Sequence, residues 1–261
     1  MCLLAFNWNN HPEYRMILVA NRDEFFERPT ESLHLWEEGF FAGKDLRAGG
    51  TWLGIHPNGR FAAITNFRDM RNLKKYAKSR GDLVKNYLKG EMGPEEYLIE
   101  IQKEKDEYEG FNLLVGTHEK LFYFSNRMDG IHKLSYGLYG LSNALLDTPW
   151  NKLLMAKEKL KNKIEKGSFD KNELIEAVLS KVVAPDDQLA DTGATLEQER
   201  AVSAQFINFG DYYGTINTTV ILWKHSGEVE IKEKRYFQTE GRSEEKEVQF
   251  LMEELPEHKS R

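Results

Sequence analysis

Two apolar runs at the amino end constrain the fold most. Cys2 to Trp8 and Arg15 to Asn21 each read as a strand, and Asn9, Asn10 and Pro12 between them are turn residues. Strands joined by so short a loop pair antiparallel. With the loop centred near residues 11 and 12, paired positions sum to about 23 or 24, which sets Cys2 opposite Asn21 or Arg22. The strand pattern alone lays Cys2 beside Asn21-Arg22-Asp23-Glu24. The same arithmetic applies to Thr51–Ile55 and Arg60–Asn66, which flank the turn His56-Pro57-Asn58-Gly59. There the sum is about 115, and Asn66 falls beside Gly49-Gly50.

Further along, helices are expected from Ser79 to Leu88 and from Pro94 to about Lys105. A longer one runs from Trp150 to Lys166, and Asp170 with Glu173 forms a capping box for another reaching about Lys181. Strands are expected at Phe111–Thr117, Leu121–Asn126, Ile131–Ser135, Tyr139–Ser142, Ala201–Phe209, Thr218–Trp223 and Val229–Phe237. The tail from residue 239 to 261 is dense in charge, and within it Val248 to Leu255 has the pattern of a docking helix. Strands, helices, strands, helices, strands in that order predict an α+β fold of mainly antiparallel sheets with helices outside. The chain has 261 residues, and typical domains run to ~150. With no repeat, linker or composition break, one domain over 1–261 is the economical reading.

Composition excludes several functions. Lys plus Arg is 36 and Asp plus Glu is 42, a net charge of −6 that disfavours nucleic acid as a partner. The apolar runs fall short of the roughly 18 residues a membrane span needs, and no leader pattern is visible, so the expected location is cytoplasmic. A single cysteine rules out an intramolecular disulfide and a Cys₄ or Cys₂His₂ zinc site. The seven histidines are scattered, and no HExxH, EF-hand or GxGxxG pattern occurs. No metal or cofactor is therefore expected. The expected partner is a small-molecule substrate or an apolar ligand, and nothing fixes the oligomeric state.

The position of the lone cysteine carries the chemistry. Removal of Met1 would leave Cys2 with its thiol and a free α-amine on the same carbon. An α-amine titrates near pH 8, so it can take the thiol proton and later hand it to a leaving amine. Arg22 across the hairpin supplies a cation for the thiolate, and Asp23 can orient the amine. Asn66 and Asn143, at predicted strand ends, are candidate donors to an oxyanion. A second reading stands beside this one. A lone cysteine is usually a small buried hydrophobe, Asn21-Arg22-Asp23-Glu24 can be an ion-paired strand end, and both asparagines can be turn residues.

The motifs Met1-Cys2, Ala20-Asn21-Arg22-Asp23-Glu24-Phe25 and Arg28-Pro29-Thr30 resemble the NRDE family, also called the transport and Golgi organisation protein 2 family. The resemblance continues through Gly43-Lys44-Asp45, Ala48-Gly49-Gly50-Thr51-Trp52-Leu53-Gly54 and Thr65-Asn66-Phe67-Arg68. Weaker echoes lie at Ser79-Arg80-Gly81, Leu141-Ser142-Asn143, Asp191-Thr192-Gly193 and Tyr213-Gly214-Thr215. The family is similar to the N-terminal nucleophile hydrolases, so the resemblance implies a four-layer αββα sandwich. It also implies cleavage of a linear acyl amide through a Cys2 thioester, with Arg22 and Asp23 as partners and Asn66 and Asn143 at the oxyanion. Asn21, Glu24, Gly50, Trp52 and Arg68, in the same motifs, become the expected substrate contacts. The alternative it carries is a non-enzymatic carrier of lipid, acyl groups or haem, with Cys2 as a contact or axial ligand.

Departures from the pattern matter. Hydrolase relatives space their Arg and Asp two residues apart, whereas Arg22 and Asp23 are adjacent, and adjacent residues on a strand face opposite ways. Both can serve Cys2 only at a strand end or a bulge. Ile216 stands where an Arg is common, Lys44 where Arg is commoner, and Ala190 where Pro is commoner.

Overall fold

The computed structural model describes residues 2–73 and 78–253. In chain order the strands before the first helix are β1 Cys2–Trp8, β2 Tyr14–Phe25, β3 Thr30–Leu35, β4 Phe41–Asp45, β5 Leu53–Ile55 and β6 Phe61–Asn66. Helices α1 Gly81–Lys89 and α2 Pro94–Lys103 follow, then β7 Phe111–Gly116, β8 Leu121–Ser125, β9 Ile131–Lys133 and β10 Gly137–Leu141. Helices α3 Asn151–Glu165, α4 Lys171–Glu176 and α5 Leu196–Val202 precede β11 Asn208–Phe209, β12 Tyr213–Lys224, β13 Glu228–Phe237 and β14 Arg242–Leu251.

The strands form two seven-stranded antiparallel sheets. One runs β10-β1-β2-β12-β13-β14 with β11 beside β12, and the other runs β3 to β9 in sequence order. Strand alternation decides which core each side chain joins. On β1, Cys2, Leu4, Phe6 and Trp8 point between the sheets, while Leu3 and Ala5 point to the outer face. On β2, Met16, Leu18 and Ala20 point inward, and Ile17 and Val19 outward. Both faces are covered, so these strands read as unbroken apolar runs rather than as an alternation.

Leu153, Ala156 and Leu160 of α3 and Leu174 and Ile175 of α4 cover the outer face of the first sheet. Helix α1 lies on β5, β6 and β7, and α2 on β8 and β9. The result is the α+β, four-layer αββα sandwich.

The hairpin arithmetic holds: Cys2 faces Arg22 across β1 and β2. In the second hairpin Leu53 faces Ala63. The helix opened by Asp170 stops at Glu176, short of the expected Lys181. Two further expectations fail. The segment expected as a strand at Ala201–Phe209 begins inside α5, whose start is a capping box of Thr195 and Gln198, and only Asn208–Phe209 is strand. The expected helix over Val248–Leu255 is strand as far as Leu251, the end of β14, and Glu254 and Leu255 lie outside the described residues. The charges of β14 are cross-strand partners for β13. Lys232 faces Glu247, and its Nζ lies 2.7 Å from Glu245 and 3.1 Å from Glu247. Val248 and Phe250 lean on the core, with the Phe250 ring 4.7 Å from that of Phe41.

Candidate active site

The hairpin β1–β2, the end of β6 and the α1 start converge on a cavity of about 340 Å³. Cys2, Arg22, Asp23, Glu24, Asn66 and Trp52 all line it, and so does Gly50. Seven of the ten residues singled out from the sequence thus share one cavity. Arg22 and Asp23 both line it, and opposite them β12 bulges: Thr215 pairs with Asp23 and Asn217 with Arg22, leaving Ile216 as the extra residue. Arg22 shares the inward face with Cys2 as its direct partner, while Asp23 is one register step further toward the amino side of Cys2.

Three of the ten are placed elsewhere. Asn21 faces the opposite side of its sheet, where its Nδ2 donates to the carbonyls of Val178 (2.8 Å) and Gln205 (2.9 Å) and its Oδ1 accepts from Thr218. Asn143 is fully buried, and its Nδ2 donates to the Asn66 carbonyl at 2.9 Å. In this arrangement it orients the Asn66 backbone. Arg68 pairs with Glu199 at 2.5 Å and lies over the Trp150 ring, lining a neighbouring groove.

Sequence reading missed the residue that organises the cations. Asp45, at the end of β4, accepts from Arg28 Nε at 2.7 Å and Arg22 Nη2 at 3.2 Å through one oxygen. Its other oxygen accepts from the backbone N–H groups of Arg47 and Ala48, each at 3.0 Å. Burial pushes its carboxyl up, but the bonds from Arg28 and Ala48 outweigh that and hold it below the usual range. The signal was present in Gly43-Lys44-Asp45 and Arg28-Pro29-Thr30, yet no spacing rule joins the two. Ser142 was missed as well. Its Oγ donates to the Cys2 carbonyl at 3.0 Å, and its own carbonyl accepts from Thr65 Oγ1 at 2.6 Å, which ties β1 to β6 behind the thiol.

Burial dominates the electrostatics. It pushes the Cys2 thiol up to about 11, with Asp23 adding to the rise and Arg22 opposing it. Such a thiol is protonated at neutral pH and needs a base to become a nucleophile. Burial also raises the Asp23 carboxyl, against Lys152 and a 2.7 Å bond from Thr215 Oγ1. Lys152, in the first turn of α3, is buried with its Nζ donating to the Val202 carbonyl at 2.9 Å, and burial lowers it to about 8. Among the described residues no cluster of His, Cys, Asp and Glu could hold a metal, and no helix is long and apolar enough to cross a membrane.

The family profile for Transport and Golgi organisation 2 matches residues 1–238. The transport and Golgi organization protein 2 homolog of Bos taurus is 35% identical over 257 residues, covering 90% of this chain and 92% of that protein. The Homo sapiens homolog is 33% identical over 257 residues with the same coverage. Among solved structures, a Caenorhabditis elegans N-acylethanolamine-hydrolyzing acid amidase ortholog overlaps with a TM-score of 0.47 at 11% identity, covering 85% of this chain and 92% of that one.

Proposed function

The chain belongs to the Transport and Golgi organisation 2 family, and from that premise we propose that it is an N-terminal-cysteine amidohydrolase acting on a linear acyl amide. One observation carries the reading: a thiol at position 2 on β1 shares a single cavity with an arginine and an aspartate from β2 and an asparagine from β6.

The proposed reaction begins after Met1 is removed. The α-amine of Cys2 takes the thiol proton, and the sulfur attacks the carbonyl carbon. The Asn66 side chain faces the developing oxyanion. The C–N bond breaks as the amine passes its proton to the leaving nitrogen, and a thioester remains. Water then attacks the thioester, giving the acid and restoring the thiol. A thiol held near 11 is the kind that requires this adjacent base. Asp23, on the amino side of Cys2, is the group to orient the amine, and Arg22 is held in place for the thiolate by Asp45.

Intact mass of the protein from its own organism tests the premise. The expected mature chain starts at Cys2, and Met1 retained in full sinks the mechanism. An electrophilic acyl probe should label Cys2 in the mature protein, and Cys2→Ser should abolish amide turnover.

A second reading is favoured by a different observation, the apolar groove of about 560 Å³ that adjoins the cavity. On that reading the scaffold carries an apolar ligand without cleaving it. Titration with acyl-CoA and with haem, wild type against Cys2→Ala, separates the two, because saturable binding without product favours the carrier. Haem held axially by Cys2 is the poorer fit, since Cys2 is 6% exposed and faces walls built of Arg22, Arg28 and Asp45.

A further inference from the structure

Arg80 stands where the two hollows meet. The Cys2 cavity and the apolar groove share Glu24, Asn66, Arg80 and Glu109 on their borders. Beyond that border the groove is walled by Phe25, Phe67, Phe209, Tyr212 and Tyr213. Phe25 and Tyr212 are 49% and 51% exposed, with their rings 6.4 Å apart, so a water-facing aromatic pair sits beside the cavity mouth. Removing such surface from water favours an apolar ligand group by about 25 cal/mol per Å².

Arg80 is fixed there by a backbone contact that only glycine permits. A Cβ on Gly50 would lie 2.6 Å from the carbonyl carbon of Gly81. The chain after Arg80 therefore rests directly on the Gly49-Gly50 turn, and Thr51 N–H donates to the Gly81 carbonyl at 3.3 Å. This is a physical reason for both the Gly-Gly-Thr and the Ser-Arg-Gly motifs.

Among the described residues, the other cations lining the two hollows are committed. Arg22 and Arg28 bond Asp45, Lys78 bonds Glu104 and Glu107, and Arg68 bonds Glu199. Arg80 Nη1 donates to the Gly110 carbonyl at 2.9 Å, and among the described residues that is the one hydrogen bond its side chain makes. A guanidinium has five N–H donors, so most of the fork is left to offer a ligand. Glu24 lies 3.8 Å from both Arg22 and Arg28, which offset its charge at the junction. Glu109 borders the same junction and is the carboxylate an incoming anion must approach.

We propose that Arg80 binds a carboxylate of the substrate, and that the substrate class is N-acyl derivatives of aromatic or bulky apolar amino acids. This rests on the hydrolase reading. In such a molecule the amide, the carboxylate and the side chain radiate from one α-carbon. The site offers three matching features around one junction: Cys2 with Asn66, the Arg80 fork, and the aromatic groove. The acyl group then occupies the smaller, polar-walled cavity, and the amino acid is the leaving amine. A bidentate guanidinium–carboxylate pair supplies the orientation.

Calorimetric titration of the Cys2→Ala protein tests this without turnover. N-acetyl-L-phenylalanine is compared with N-acetylphenethylamine, which lacks only the carboxylate, and with N-acetylglycine, which lacks the ring. The acid should bind about tenfold or more tightly than either analogue, the scale of one charged hydrogen bond. Arg80→Gln should bring the acid down to the affinity of N-acetylphenethylamine, and Arg80→Lys should recover part of the difference. Equal binding of acid and carboxylate-free amide, no binding of the acid, or an equal loss for both ligands in Arg80→Gln overturns the proposal. The two readings fail separately. Turnover of carboxylate-free amides by the mature wild type, independent of Arg80, keeps the hydrolase and removes this substrate class. Carboxylate-dependent binding without turnover by the mature wild type keeps the ligand class and removes the hydrolase.

Discussion

The Cys2 cavity and the β13–β14 edge are both crowded with charge, and in the sequence they look alike. In the fold they differ in depth. Around Cys2, the Arg22 side chain is 8% exposed and Asp45 14% exposed. On β14, Glu245 is 41% and Glu247 48% exposed. A pair cut off from water has lost its hydration and depends on its partner, whereas an exposed pair trades one well-solvated state for another. Charge density does not locate a site, but charge that the fold has paired away from solvent does.

The largest effect is expected at Asp45. Asp45→Ala takes the nearest acceptor from Arg22 and Arg28, leaving each with Glu24 at 3.8 Å, and leaves two backbone N–H groups without their acceptor. The expected loss is about 3–5 kcal/mol in urea unfolding, as for a buried pair deprived of one member. A loss under about 1 kcal/mol would mean that the cavity's charges behave like the edge's. The pH dependence follows the same residue. Its folded pKa is depressed, so its contribution is complete above the ordinary carboxylate value of 3.8 and is lost as pH falls through the lower folded value. Asp23 has the opposite sign. Its pKa is raised by burial, so the ionised form costs stability that is recovered as pH falls through the raised value. The Asp45→Ala protein should therefore lose less stability than wild type on acidification.

The thiol comes next in size. With its pKa moved from 9.0 to about 11, the buried sulfur of the full-length chain should alkylate about a hundredfold more slowly at pH 8 than an ordinary cysteine, and its rate should keep climbing toward pH 11. Protein beginning at Cys2 should react faster at pH 8, because its own amine can take the proton. Identical pH–rate profiles for the two forms would remove the amine from the chemistry. The Gly50 contact ranks third. Gly50→Ala drives a methyl group into the backbone of Gly81. We expect a loss of about 1–3 kcal/mol in thermal or urea unfolding. Arg80 should shift with it, read as weaker binding of carboxylate ligands.

How much of this was legible follows from which distances the sequence encodes. The β1–β2 pairing put Cys2 opposite Asn21 or Arg22, and the fold has Arg22, because a short loop leaves little freedom in the pairing. The glycine pair before Thr51 could be assigned to the right turn, though not its contact with Gly81, which joins segments about 30 residues apart. Asp45 stayed hidden for the same reason: its cationic partners lie on β2 and in the loop after it, about 20 residues away, and no local period connects them. Asn143 read as an oxyanion donor at a strand end, yet burial turned its amide toward the Asn66 carbonyl. Lys152 reads as an ordinary surface lysine in a Lys-rich helix. Only the first sheet's outer packing shows that its charge is enclosed near Asp23. The tail misled because Glu-rich composition masks alternation. The pattern that makes β14 a strand resides in β13, whose Lys232 and Lys234 face its glutamates.

The smallest effect is expected at the carboxylates of β14. Glu245 lies 2.7 Å from Lys232 and 3.0 Å from Lys234. Lys232 is only 5% exposed, so on depth alone it belongs with the cations of the cavity, yet it keeps a second acceptor in Glu247 at 3.1 Å. Glu245→Gln leaves an amide of similar shape and removes one charge from a group that is mostly in water. The expected cost is below about 1 kcal/mol, and it should shrink further with added salt. Glu247→Gln also takes an acceptor from Lys171, which keeps Glu230 at 2.7 Å, and its cost should be similarly small because Glu245 then holds Lys232. The double substitution is the informative one. It leaves Lys232 enclosed with no carboxylate opposite, and its cost should exceed the sum of the two single changes. A simple sum would show that Lys232 reaches water past β14, and that depth in the fold is a poorer guide to dependence on a partner than the cavity makes it look.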